Sequence, residues 1–167
     1  MPFYLLSILS FIVTLMLQLG IVSRMPLLAG SANLLLLFVV AWSLHQNHKN
    51  AWILVIAFGL VVSSISAASF FIPLVTYLVI FFAAKLIHHQ IWRTPLLSMF
   101  LLTFFGTLLE NGLYLIGLFV QGVEFSLTQA FTTIVLPSML LNMLLAIPVH
   151  ALIQDLFRSE LPVGAPL

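Results

Sequence analysis

The sequence predicts an all-α, polytopic membrane protein folded as a bundle of six transmembrane helices, and three observations lead there. Only 5% of the 167 residues are Asp, Glu, Lys or Arg, against the roughly 25% with which a soluble domain covers its surface. Hydrophobic residues make up 63% of the chain. They fall in runs such as 34–44, 51–62, 70–84 and 95–109, and polar breaks at 45–50 (HQNHKN) and 88–94 separate several of these. The runs are too many and too closely spaced to bury one another in a small globule, whereas lipid removes that surface from water directly.

The first apolar segment runs over 3–22 and ends at Ser23-Arg24, with Pro26 closing it. At about 1.5 Å per residue it is just long enough to cross a bilayer. Residues 1–10 contain no Lys or Arg, so the basic region of a secretory signal peptide is lacking and the segment reads as a retained first span. Residues 27–30 form a short connector, because Gly30 and Ser31 are poor helix-interior residues and Asn33 suits a cap. The second span, 32–44, is short; it borrows 27–31 or lies in a thinned region, and the sequence leaves both open. After the loop at 45–50 the third span covers 51–65 and dissolves into Ser63, Ser64, Ser66 and Ser69, interleaved with Ala67 and Ala68. This cluster is the hairpin to the fourth span, 70–87, in which Pro73 falls in the first turn. The fifth span covers 96–119 and Gln121-Gly122-Val123-Glu124 is a short exposed turn. The last span, 126–157, exceeds what a bilayer needs, and Pro137 and Pro148 are its two break points. Residues 1–158 thus form one transmembrane domain, and 159–167, with two prolines and a glycine, a flexible cytoplasmic tail.

Orientation follows from basic residues in short loops. With six spans and a cytoplasmic N-terminus, the inner side holds Lys49, Lys85, Arg93 and Arg158 and the outer side only Arg24. Both termini are therefore expected in the cytoplasm.

Scarce polarity inside the spans carries the functional information. Glu110 falls near the centre of the fifth span, where an ionised carboxylate facing lipid costs upward of about 2.5 kcal/mol. It must face protein, water or a partner. Thr103, Thr107, Glu110, Tyr114 and Gly117 recur at helical spacing and form one polar, small-residue stripe. With Asn111 and Asn142, these polar residues outline a candidate intramembrane groove. Three readings of Glu110 stay open: a structural group bonded within the bundle, the wall of a groove where another membrane protein docks, or a site for a small solute or protons. A proton relay needs a second titratable group at depth, for which His150 is the evident candidate. The amide of Asn142 needs partners, and Glu110, Asn111 or a carbonyl freed by Pro137 or Pro148 could supply them. Gly106, Gly112 and Gly117 suit close helix packing.

Several function classes find no equipment. The chain has no cysteine, which excludes a disulfide framework and a thiol nucleophile. No serine sits in a G-x-S-x-G setting and no glycine-rich phosphate loop is present, so no catalytic residue and no cofactor is expected. A net charge of +1 gives no argument for nucleic acid. His45, His48, His88 and His89 fall on two separate loops, whereas zinc needs three or four converging ligands, so no metal is expected. Beside Lys49, Trp52, Trp92 and Arg93 they read as interfacial anchors.

The compact six-span plan, the run Ala32-Asn33-Leu34-Leu35-Leu36-Leu37, the histidine-containing break, and Gly59-Leu60 leading into a serine-rich hairpin resemble the bacterial rod shape-determining MreD family. Members open the second span with a proline or similar residue before an Asn-Leu-Leu run, matched here by Ser31-Ala32-Asn33. Two positions depart: Ser63 stands where members carry an acidic residue four after the third-span glycine, and Ala67 stands where the hairpin glycine belongs. The resemblance implies a non-enzymatic subunit of the elongasome, the peptidoglycan-synthesising machinery of the lateral cell wall, in the bacterial cytoplasmic (inner) membrane among its lipids. It implies as partners MreC, the polymerase RodA with its class B penicillin-binding transpeptidase, and MreB on the inner face. It also implies a fold similar to the substrate-binding subunits of energy-coupling-factor transporters. That similarity carries an alternative, a vitamin-capture subunit with Glu110, Asn111, Tyr114 and Asn142 around an outward-facing pocket.

Overall fold

In the computed structural model, which describes residues 3–22, 30–45, 51–66, 70–91 and 95–157, the described residues form six helices and no strand. They are α1 (Phe3–Gly20), α2 (Leu34–His45), α3 (Ala51–Ile65), α4 (Phe71–Ile91), α5 (Pro95–Val120) and α6 (Leu127–Phe157). Helices α5 and α6 are long and apolar enough to cross a membrane, and the other four are shorter apolar helices. The connector 23–29, most of the HQNHKN loop, the serine-alanine cluster at 67–69, Trp92, Arg93 and the tail lie outside the described residues.

Helix α2 is the hub. Its sequence, LLLLFVVAWSLH, is apolar on every side, and a helix of that kind must be surrounded. Residues 36–42 have no exposed surface at all. Helices α1, α4, α5 and α6 all pack on it, α3 packs on α4, and α5 bridges α4 and α6. With 12 residues α2 is only about 18 Å long, so it occupies the axis of the bundle for part of its length. Aromatic rings fix α1 and α3 around it. Phe11 stacks on Phe58 with centroids 4.1 Å apart, and Phe38 and Trp42 meet Phe58 edge-on. The buried Trp42 indole N–H donates to Ser7 Oγ at 3.0 Å, so the polar end of the ring is satisfied without water.

Two glycines set helix spacing. A Cβ on Gly59 would lie 2.8 Å from Leu74 Cδ1 and 3.1 Å from its Cα, so α3 and α4 touch backbone to side chain. A Cβ on Gly106 would lie 2.8 Å from Ile80 Cδ1, joining α5 to α4. Gly112 has open space instead, which corrects the expectation that it mediates packing: it lies on a part of α5 that no neighbour covers.

The ends of α4, α5 and α6 sharpen the sequence reading. Helix α4 runs on to Ile91 rather than stopping at 87, because His and Gln break an apolar run without breaking a helix. Helix α5 ends in a Schellman turn: Gly122, at φ +77°, lets its own N–H reach Phe119 O and the Val123 N–H reach Leu118 O. In α6 the expected break before Pro137 takes the form of π winding over Phe131–Val135, with the Leu136 N–H donating to Phe131 O. Pro137 has no N–H to offer the preceding turn, so the wider winding there leaves no α-type bond missing. Through Pro148 the α-helix continues, against the expectation of a second break.

Candidate functional site

The site begins with the residues that start α2. Gly30, Ser31, Ala32 and Asn33 are not helical, yet Gly30 and Ala32 are buried and Asn33 half-buried, with Ser31 exposed between them. A backbone so placed leaves unpaired N–H groups that lipid cannot satisfy, so side chains must. Two other helices supply them. From α1, Gln18 Oε1 accepts the Leu34 N–H at 2.8 Å and its Nε2 donates to Ala32 O at 3.1 Å. From α6, Asn142 Oδ1 accepts the Asn33 N–H at 2.7 Å and Ser138 Oγ accepts the Ser31 N–H at 3.1 Å. Asn33 caps its own helix, with Oδ1 accepting the Leu36 N–H at 3.0 Å. Gly30 is required by this contact, because a Cβ there would lie 2.7 Å from both Ile134 O and Ser138 N.

From α5 comes the carboxylate. The Asn33 amide donates to Glu110 Oε1 at 2.9 Å and to Oε2 at 2.8 Å. Glu110 is 5% exposed and Asn142 1%. Thr107 supports both: its hydroxyl accepts from Asn142 Nδ2 at 2.9 Å, and its carbonyl accepts from Asn111 Nδ2 at 2.9 Å. The half-positive N-terminus of α2 thus points toward Glu110, the one buried acidic side chain among the described residues, the favourable sense for a helix dipole.

Beyond this network lies a cavity of about 330 Å³. Glu110, Asn111, Asn33 and Asn142 line its polar side, Leu15 and Leu19 of α1 and Val62 and Ile65 of α3 its apolar side. Tyr114 also lines it and reaches Ser66.

Of the residues named from sequence, Asn33, Glu110, Asn111, Tyr114 and Asn142 meet at this cavity, and Thr107 lies beneath it holding two amides. Thr103 is buried deeper along α5, its hydroxyl without a partner, and does not line the cavity. Asn142 bonds to Thr107 and to the Asn33 backbone, and its bonds go neither to Glu110 nor to Asn111, because residues 30–33 reach it first. His150 is buried and packs on His45, ring centroids 5.1 Å apart. His45 ends α2, whereas Asn33 and Glu110 meet at its start, so the two titratable groups flank opposite ends of an 18 Å helix and form no relay. Sequence reasoning passed over Gln18 and Ser138. A lone amide in the last turn of an 18-residue helix whose other polar groups are hydroxyls was the available signal for Gln18.

The description rod shape-determining protein MreD matches residues 2–160, nearly the whole chain. The chain belongs to the MreD family. MreD proteins serve in rod-shape determination, and theirs is a family of shape-determining proteins, not a known enzyme family. No curated protein and no solved structure matches the chain, and the vitamin-capture alternative has no support. Among the positions that carried the MreD resemblance, Asn33 is the centre of the network. Gly59 permits the close approach of α3 to α4. Ser63 is buried with its hydroxyl unpartnered and lies outside the cavity lining.

Proposed function

We propose that this MreD-family chain is a six-span inner-membrane scaffold of the rod-shape machinery, with both termini cytoplasmic, that acts by contact and not by chemistry. In this reading it holds the bitopic protein MreC and, through it or directly, RodA with its class B transpeptidase, while MreB lies on the inner face. The groove residues Glu110, Asn111, Tyr114 and Asn142, backed by Thr107, form the partner-facing part. The observation that carries the reading is the closed network around Asn33 set beside an open cavity. The carboxylate is held by the Asn33 amide, while the space beside it stays unfilled by the protein's own described side chains. The rigid hub of α2 suits a part that must present a fixed surface.

The test is purification from mild detergent after co-expression with MreC and the synthase pair. Stable recovery of MreC with the chain is the expected result. Recovery of the chain alone, from membranes in which MreC is present and folded, would overturn the proposal.

A further inference from the structure

The cavity beside Glu110 has a carboxylate in its lining and no basic side chain among the described residues. The four side-chain amides that line it each donate within the protein: Gln18 to Ala32 O, Asn33 to Glu110, Asn111 to Thr107 O and Asn142 to Thr107 Oγ1. Second amide N–H groups and the hydroxyls of Ser31, Ser66, Ser138 and Tyr114 complete the polar lining, so the feature without a counterpart among the described residues is the carboxylate. An ionised carboxylate has about four lone-pair sites, and Asn33 supplies a single NH₂ group to the two oxygens. The carbonyl oxygen of Asn111 adds another acceptor. Among the described residues Glu110 makes no ion pair. The one Lys or Arg side chain described, Lys85, lies over the Phe81 ring, 4.7 Å from its centroid.

The opposite wall has a different character. Leu15, Leu19, Val62 and Ile65 present hydrocarbon. A cavity with an acidic floor and apolar sides matches a cation on an alkyl stem, since Lys and Arg bury their methylenes along apolar surface and carry charge at the tip. At about 330 Å³ it is at the small end of ligand pockets, which span about 300–1,000 Å³. An aminophospholipid headgroup carries the same kind of cation, and lipid bound to the purified chain distinguishes it from a protein side chain.

We infer that the cavity is the receptor for a Lys or Arg side chain carried on a membrane-spanning helix of a partner protein, with the ammonium or guanidinium against Glu110 and the stem against α1 and α3. This inference rests on the scaffold reading and names the chemistry of its contact.

The experiment compares the full-length chain with Glu110→Gln and Leu19→Trp, each co-expressed with the membrane partner and purified in the same detergent, with bound lipid read by native mass spectrometry. Glu110→Gln keeps the shape and removes the charge, and Leu19→Trp fills the apolar wall and leaves the carboxylate. Both variants are expected to lower partner recovery about tenfold or more while remaining monodisperse. Glu110→Lys combined with an acidic substitution of the partner's basic residue is expected to restore it. Partner recovery unchanged in both variants would overturn the inference and leave the scaffold reading standing. So would an aminophospholipid bound to the wild type and lost from Glu110→Gln with the partner retained, since the cavity is then a lipid site. If Glu110→Gln aggregates, Leu19→Trp decides alone: retained partner overturns the inference, lost partner supports it. A wild-type chain that recovers no membrane partner sinks both readings together.

Discussion

Asn33 uses every polar atom it has. Its N–H goes to Asn142, its carbonyl receives the Leu37 N–H, its side-chain oxygen caps α2 and its amide nitrogen holds Glu110. Removing either end of the amide-carboxylate contact strands a buried polar group, which costs about 1–3 kcal/mol. Glu110→Ala is therefore expected to lower the detergent unfolding midpoint clearly, whereas Glu124→Ala, in an exposed turn, leaves it nearly unchanged. Equal midpoints for the two variants would contradict the burial of Glu110. The polar character of this spot was legible in the sequence: a lone carboxylate in an apolar span has to be sheltered, and an Asn ahead of a leucine run reads as a cap. That the two residues bond to each other was not legible, because they are 77 positions apart and no local pattern encodes such pairing. The same holds for His45 and His150, which read as separate interfacial residues and pack as a pair.

At the level of elements, apolar run length located all six helices to within a few residues, since loss of hydrophobicity and loss of helix coincide wherever Gly, Pro or Ser clusters mark the boundary. It failed where they separate. The polar end of α4 stays helical, and ahead of Pro137 the helix widens into a π turn instead of ending. Glycine spacing carries its own prediction. Gly59→Leu places four carbons where Leu74 already sits, and overpacking of this kind costs about 1–3 kcal/mol. The variant is expected to unfold at lower temperature and to lose a disulfide cross-link engineered between α3 and α4. Gly112→Leu, facing open space, is the matched control and is expected to change neither.

For the whole molecule, the proposed arrangement assigns each loop a side of the membrane, and the chain contains no cysteine, so single-cysteine variants need no prior engineering. Glu124→Cys is expected to react with a membrane-impermeant maleimide in cells whose outer membrane has been made permeable, and Lys49→Cys only after lysis. Labelling of Lys49→Cys in intact inner membranes would invert the topology. Composition alone announces a membrane protein here, because 5% charge cannot wet a surface. The central position of α2 is a property of the assembled bundle, and the sequence shows it only as a span that is too short.

That shortness also bears on the order in which the protein can be finished. The N–H of Asn33 waits for an acceptor 109 residues later, and Ser31 for one 107 residues later. At translation rates of about 5–20 residues per second, the interval is on the order of ten seconds. During it the residues that lead into α2 have left the ribosome without their acceptors, although Gln18 and Asn33 can already close its first turn. The central helix of this bundle is among the first to be synthesised and the last to be completed, and a nascent chain stopped before α6 holds its hub open.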